Sequence, residues 1–446
     1  MQQLSAYVAS ALRKPLPPAV TEKTKHHLLD TLAAMVSGSR LLPGRTAISY
    51  VKTLGGTKEA AVIGTRCVTT AINAALANGM LAHADETDDS HAPSLTHPGC
   101  GIVPAALAMA EREQRNGTAL LRAIALGYDV GCRLTLSLSA YEFREDGHST
   151  HSFGPMFGAA AAAGALAGLN AARTRHLFSY TAQQASGISC WMRDEEHIEK
   201  AFDFGGMPAR NGVAAAAMVA HGFSGVDDAF SGERNFFVAY GRAPKPAELT
   251  RELGATYEIM NTNIKRWSVG SPIQAPLDAL LDLIREHRFK ADDVAKLVVR
   301  VAHQGANTVN NRNMPDICVQ HMCAVMLLDG TASFKSSHDV RRMRNRKVLE
   351  VRSRVELYGD DALTLAMPSR QGIVEITLRD GRELRLHTKA VRGTSDNPMT
   401  RAEVDAKSYD LLAPVLGKAR ARRLCDAIWN IEEISDVRRL RPLLQA

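Results

Sequence analysis

From Thr21 to about Gly241 the apolar positions recur with helical spacing. Leu28, Leu29, Leu32, Ala33 and Val36 share one face of the run Glu22–Val36, which Thr21 is placed to cap. Thr69 or Thr70 opens a second helix that runs to His83, a third follows Pro104, and a fourth spans about Thr118–Leu136. Alanine-rich helices follow at Ala159–Leu169 and Val213–Ala220, where small side chains allow helix axes to approach closely. This part reads as an all-helical globule.

After about Lys265 the period changes. A helix over Ile273–His287 precedes Val294–Ala302, which alternates as a strand does; Arg352–Leu357 and the stretch Gly372–His387 add three more strands. The pair Asp380-Gly381 inside that stretch is a hairpin signal. Another helix, about Asp316–Leu328, lies among the strands, and the tail from Arg401 is helical again. The pattern predicts a mainly α protein, with a large helical domain from residues 1–265 plus 396–446 and a smaller α+β domain over 266–395. Two domains also suit a chain of 446 residues, which exceeds the usual size of a single core.

Composition narrows the function classes. The net charge of +7 is mild for this length and is spread along the chain. The stretch Arg341–Arg352 resembles a basic patch, but a solvated face is its plain reading, and aromatics at 5% offer little stacking surface for nucleic acid. The positive surplus suits a small anionic substrate. Seven cysteines without a CxxC pair fit neither a disulfide framework nor a zinc ribbon and point to a reducing compartment. The first residues carry no basic leader, and no stretch is long enough to cross a bilayer, so a cytoplasmic protein with no membrane or nucleic-acid partner is expected.

Chemistry concentrates in residues 83–99, where three histidines, four carboxylates and four hydroxyl residues lie between two apolar helical runs. Histidine among carboxylates is the composition that proton transfer needs near neutrality. A solvated acidic loop is the plain alternative. Asp85, Glu86, Asp88 and Asp89 cannot all be catalytic, at least two being caps or ion-pair partners, and His83 serves structure as readily as function. Three further segments repeat one arrangement, a glycine- or proline-marked loop running into a helix: Gly147–Gly158 with His148 and His151, Lys200–Gly212 with Lys200 and Arg210, and Lys265–Pro272 with Lys265 and Arg266. If these loops converge with His97–Gly101, their cations and helix N–H groups make a pocket for a di- or tricarboxylate. With no HExxH and no second acidic motif, no metal is expected. The rivals are a metal-dependent helical hydrolase or prenyltransferase using Asp85, Asp88 and Asp89, and a non-catalytic carboxylate-binding protein.

Four stretches together resemble the MmgE/PrpD family. They are Asn78–Ala84 leading into Asp85–His91, His97-Pro98-Gly99 followed by Val103–Glu111, Phe157–Ala163, and Met326–Gly330. That family includes 2-methylcitrate dehydratases, cis-aconitate decarboxylases and iminodisuccinate epimerases. The resemblance implies a helical domain with an α/β lid, a homodimer, no metal or organic cofactor, and a small polycarboxylate substrate. It implies a hydro-lyase that abstracts an α proton and expels a β-hydroxyl, with decarboxylation or epimerisation as alternatives on the same scaffold. Carried onto this chain, the family's acidic residue falls on Glu86 or Asp85, its threonine on Ser90, its histidines on His97 and on His148 or His151, and its lysines on Lys200 and Lys265. A family tyrosine is replaced by His321. Arg210 and Arg266 would add charge for the substrate. The chain departs from the family in having Thr87 where phenylalanine is frequent and Asp203 where many members carry histidine.

Overall fold

The computed structural model describes all residues from Met1 to Ala446. It divides into two compact units, one of residues 1–262 with 401–446 and one of residues 263–400.

The first unit is helical apart from a short ribbon that pairs Ala60–Ala61 with Val68–Thr69. At its centre lies helix Thr150–Leu166, every residue of which is buried, surrounded by helices Pro98–Arg112, Gly117–Ser137 and Met207–Ala220. A helix with no polar face must be enclosed in this way. Glycine permits the enclosure: a Cβ on Gly158 would stand 2.4 Å from the carbonyl oxygen of Gly127 on the 117–137 helix. A second backbone contact joins helix Ala71–Ala82 to a wide π-type turn at Phe202–Gly206. There a Cβ on Gly79 would stand 2.3 Å from the Gly205 carbonyl oxygen, and one on Gly205 2.1 Å from that of Gly79.

Several boundaries differ from the sequence reading. The first long helix is Pro18–Gly38; Pro18 takes the first helical position, where its missing N–H costs nothing, and the Thr21 hydroxyl donates back to the Pro17 carbonyl instead of capping. Helix Pro98–Arg112 starts with Pro98 and carries Pro104 inside it, so the helix expected after Pro104 opens directly at His97. Gly147–Gly158 is loop only as far as Ser149, which puts His151 in the first turn of a helix. Helices Leu42–Leu54 and Ala171–Gln184 also stand in stretches for which no helix was read.

Helix Arg401–Leu416 returns to the first unit and packs on the 18–38 helix. Its Lys407 Nζ lies 2.6 Å from Asp30 Oδ1 and also donates to the Thr87 carbonyl oxygen at 3.0 Å. The C-terminal helix therefore braces the acidic loop.

The second unit holds a four-stranded sheet in the order 355–360, 294–302, 372–378, 383–388; the first pair is parallel and the others antiparallel. The parallel connection needs a crossover, which helices Val319–Asp329 and Arg346–Arg352 supply. Arg352 thus ends a helix, and the strand expected from it begins at Val355. The hairpin turns at Asp380-Gly381, with Gly381 at φ 91° and its N–H on the Leu378 carbonyl. Leu297, Val299, Val301, Val374 and Ile376 form one core with Ile273 and Leu277 of helix Ser271–His287 and with Met322 and Met326.

Burial pushes the Asp30 carboxyl up to about 6, against the pull of Lys407. A raised carboxyl contributes stability that is full below its unfolded value and is lost as pH rises through the folded one. Removing Lys407 raises it further, so Lys407→Met is expected to cost roughly 3 kcal/mol at pH 8 and distinctly less at pH 5, where Asp30 is protonated. Urea midpoints at the two pH values measure this, and adding Asp30→Asn should recover most of the loss at pH 8. An equal loss at both pH values would remove the ion pair from the account.

Candidate active site

The loop between the 71–82 and 98–112 helices is not solvated. Asp85, Glu86, Asp88 and Asp89 are all buried, so each carboxylate needs a partner, and each has a different one. Asp85 accepts from the Thr87 N–H and hydroxyl, both at 2.9 Å, and so folds the loop upon itself. Asp89 accepts from the Gly99 N–H at 2.9 Å, and from the Tyr128 hydroxyl and His27 Nδ1 at 2.6 Å each. Burial brings His27 down to about 4, and burial together with Asp89 holds the Tyr128 phenol well above its ordinary value, so both act as neutral donors. Asp89 is thus the anchor that ties the start of the 98–112 helix to two neighbouring helices.

Asp88 faces the other way. Its Oδ2 lies 2.9 Å from His83 Nδ1 and its Oδ1 3.1 Å from His97 Nδ1. Burial alone would raise this carboxyl, but His83 and His97 outweigh it and hold Asp88 well below the usual carboxylate range. An ionised Asp88 takes both Nδ1–H groups and so assigns both histidines the same tautomer. The side chains of His83 and Asp88 are 0% exposed, whereas His97 is 11% exposed, so of the three only His97 presents an edge to an incoming molecule.

The 189–206 segment closes the group. Phe204, in the π-type turn, stacks on His151 at 3.8 Å and on His83 at 4.2 Å between ring centroids, and meets Trp191 edge-on at 4.7 Å. His151 lies 5.2 Å from His97, and burial, followed by the charge of His97, holds its imidazole well below the ordinary value. Lys200 pairs with Glu86, and its Nζ stands 5.3 Å from the Phe204 ring centre and 5.5 Å from that of Trp191. At 14% its side chain is the most exposed in the group, against 7% for Glu86. His197, its ring 5.1 Å from His83, is brought down to about 3 by burial, with Lys200 and His83 adding to the effect. Beneath the turn, burial pushes Asp203 up to about 7; it accepts from the Ser149 hydroxyl at 2.5 Å, and Ser149 in turn accepts from the Trp191 indole N–H at 3.3 Å.

The residues singled out in the sequence therefore separate. Glu86, His97, His151 and Lys200 come together. Asp85 lies in the same loop but is taken up with Thr87, and Ser90 is half-buried just beyond Asp88 and Asp89. His148 is not in the group: two residues before the 150–166 helix, it stacks on Phe143 at 4.4 Å and faces Tyr240, while His151, inside the first turn, reaches His97. Arg210 lies over Phe202 and donates to Asn211, outside the group. Lys265, Arg266 and His321 belong to the second unit. There Lys265 is buried, Arg266 pairs with Asp278 at 3.1 Å, and the His321 ring is fully buried and brought down to about 4 by burial and then by Arg352 and Arg342. Sequence reasoning missed Asp88 as the bridge between two histidines, as well as Trp191, Phe204 and His197. The spacing His83, Asp88, His97 carried a signal for the first; the aromatics carried none.

The group combines a carboxylate-backed histidine with a slightly exposed edge, a second buried neutral histidine beside it, and a lysine ammonium. Those are the parts of an acid–base site for an anionic molecule.

The MmgE/PrpD N-terminal domain matches residues 2–249, and the MmgE/PrpD C-terminal domain matches residues 267–433. A relative described as a cis-aconitate decarboxylase-like protein, oryM of Aspergillus oryzae, is 27% identical over 313 residues. The alignment covers 66% of this chain and 63% of that protein, so the chain spans somewhat under two thirds of its relative's length. With the two domain matches together extending over most of its residues, the chain belongs to the MmgE/PrpD family.

Proposed function

We propose that the protein is a lyase of the dehydratase or decarboxylase type, acting on a small hydroxy di- or tricarboxylate, and that its first reaction is loss of water. The observation that carries this is the pair of unlike histidines 5.2 Å apart, His97 backed by Asp88 and His151 with no carboxylate partner. Dehydration takes one proton from the carbon α to a carboxylate and gives one to the departing β-hydroxyl. Two differently supported imidazoles answer that requirement.

In this reading His151 takes the α proton. The electron pair left on carbon spreads into the adjacent carboxylate, which then carries more negative charge. Lys200 meets that charge, in a place lined by Phe204 and Trp191 where water does not dilute it; a preorganised donor of this kind is typically worth about 3–4 kcal/mol. His97 gives its proton to the hydroxyl, so the group leaves as water while the C=C bond forms. Asp88 does not change protonation; it stabilises the charged His97 and fixes its tautomer.

A second reading has one specific support, the relative whose description is decarboxylase-like. Loss of carbon dioxide would leave the same carbanion beside Lys200, and one histidine would then protonate it.

Proton NMR in deuterated water with citrate, 2-methylcitrate and cis-aconitate tells these apart. An alkene signal from a hydroxy acid is expected. Carbon dioxide release from cis-aconitate, with one deuterium entering the product, would move the assignment to decarboxylation, and deuterium exchange alone would make the protein an epimerase. With any of these as the assay, His97→Ala should lower kcat at least about a hundredfold while circular dichroism stays unchanged. Lys200→Ala should lower kcat and kcat/KM together, as expected for charge that appears in the transition state; a rise in KM alone would reduce Lys200 to substrate binding.

A further inference from the structure

Beneath the turn that carries Phe204 lies a carboxyl that no cation answers. Asp203 is buried and joins no ion pair; its hydrogen-bond donor is the Ser149 hydroxyl, at 2.5 Å. An unpaired buried carboxyl is costly and calls for an explanation. The Ser149 oxygen accepts in turn from the Trp191 indole N–H at 3.3 Å. An indole N–H only donates and a serine has one hydrogen to give, so the direction is fixed: Trp191 donates to Ser149, and Ser149 donates to Asp203. We propose that Asp203 is a positioning residue for the acid–base site, which through the Ser149 hydroxyl holds the Trp191 ring in place, and holds it more firmly when ionised than when protonated.

The ring so held touches three members of the site. Trp191 meets Phe204 edge-on at 4.7 Å and His151 edge-on at 5.4 Å, and Lys200 Nζ stands 5.5 Å from its centre. A displaced indole is therefore felt by the second histidine, by the ring stacked on it and by the lysine. The carboxyl is closely held as well: a Cβ added at Gly187, where φ is 129°, would stand 2.8 Å from Asp203 Oδ1. A hydrogen bond to an ionised carboxylate is roughly twice as strong as one between neutral groups, and it polarises the hydroxyl that receives the indole N–H.

The neighbouring groups leave the charge of Asp203 uncompensated. Burial pushes the carboxyl up to about 7, the Ser149 bond opposes this, and Glu199 of the adjoining helical turn adds to it. The Cys190 thiol is turned to Glu199 at 3.1 Å, and Arg193 is exposed. Lys200 is paired with Glu86, Arg210 lies over Phe202, and burial keeps His151 neutral. Cys100 of the 98–112 helix faces the carbonyls of His97 and Phe204, and the 71–82 helix carries no titratable side chain. The chain of bonds thus ends on a neutral carboxyl below neutrality and on a carboxylate above it.

The hold on Trp191 is read without turnover. The full chain, isotopically labelled on tryptophan nitrogen, has three indole N–H resonances, and Trp191→Phe identifies the one in question. That resonance should move downfield as pH rises through about 7, as its hydrogen bond strengthens. Asp203→Asn keeps an acceptor for Ser149 but does not ionise, so the resonance should stay at its low-pH position. Ser149→Ala cuts the chain and should abolish the movement as well, and circular dichroism checks each fold. No movement in the parent across neutrality, or the same movement in either variant, overturns the proposal. The consequence for catalysis rests on the lyase reading: kcat should carry an ionisation at the same pH, absent in Asp203→Asn, with KM little changed. An identical kcat profile in that variant also overturns the positioning role, whereas absence of turnover on every carboxylic acid sinks the lyase reading alone.

Discussion

Burial of four carboxylates on one short loop is the constraint from which the rest of the first unit follows. A buried carboxylate without a partner costs several kcal/mol, so the loop is stable only in the conformation that satisfies all four at once. Asp85 turns the backbone onto Thr87, and Asp89 fastens it to Gly99, Tyr128 and His27. With the ends held in this way, Asp88 meets His83 and His97, and Glu86 meets Lys200. Two of the carboxylates make the loop rigid, and that rigidity gives the other two their chemical use.

The opposite wall of the site is set by backbone contact. Gly79 and Gly205 touch through their main chains, which brings the 202–206 turn against the 71–82 helix closely enough for Phe204 to stand between His83 and His151. A methyl group at either glycine would push the ring out from between them. Phe204 thus converts a packing contact into spacing between imidazoles, and Trp191, hydrogen-bonded through Ser149 to Asp203, supports it from the side.

Much of this was legible in the sequence, unevenly. The helical and strand periods gave the fold class because apolar spacing is a local property. The hairpin at Asp380-Gly381 was legible for the same reason, since it depends on one residue at positive φ. Residues 83–99 stood out because titratable groups of that density are unusual anywhere. Helix starts were misread at Thr21 and Pro104 because proline at the first helical position and proline carried inside a helix look alike in one dimension. The choice between His148 and His151 was illegible for a related reason: it turns on whether the 150–166 helix begins before or after them. The place of Phe204 could not be read at all, since it comes from a contact between glycines more than a hundred residues apart in the chain.

Lys200 decides how such a site can work. Its ammonium answers Glu86, in surroundings where charges are poorly screened. An anion entering beside His97 would compete for the same ammonium and would face Glu86 and Asp88. Asp88 is already answered by two Nδ1–H donors and is fully enclosed. The Lys200–Glu86 ion pair is therefore the contact that such an anion would have to open.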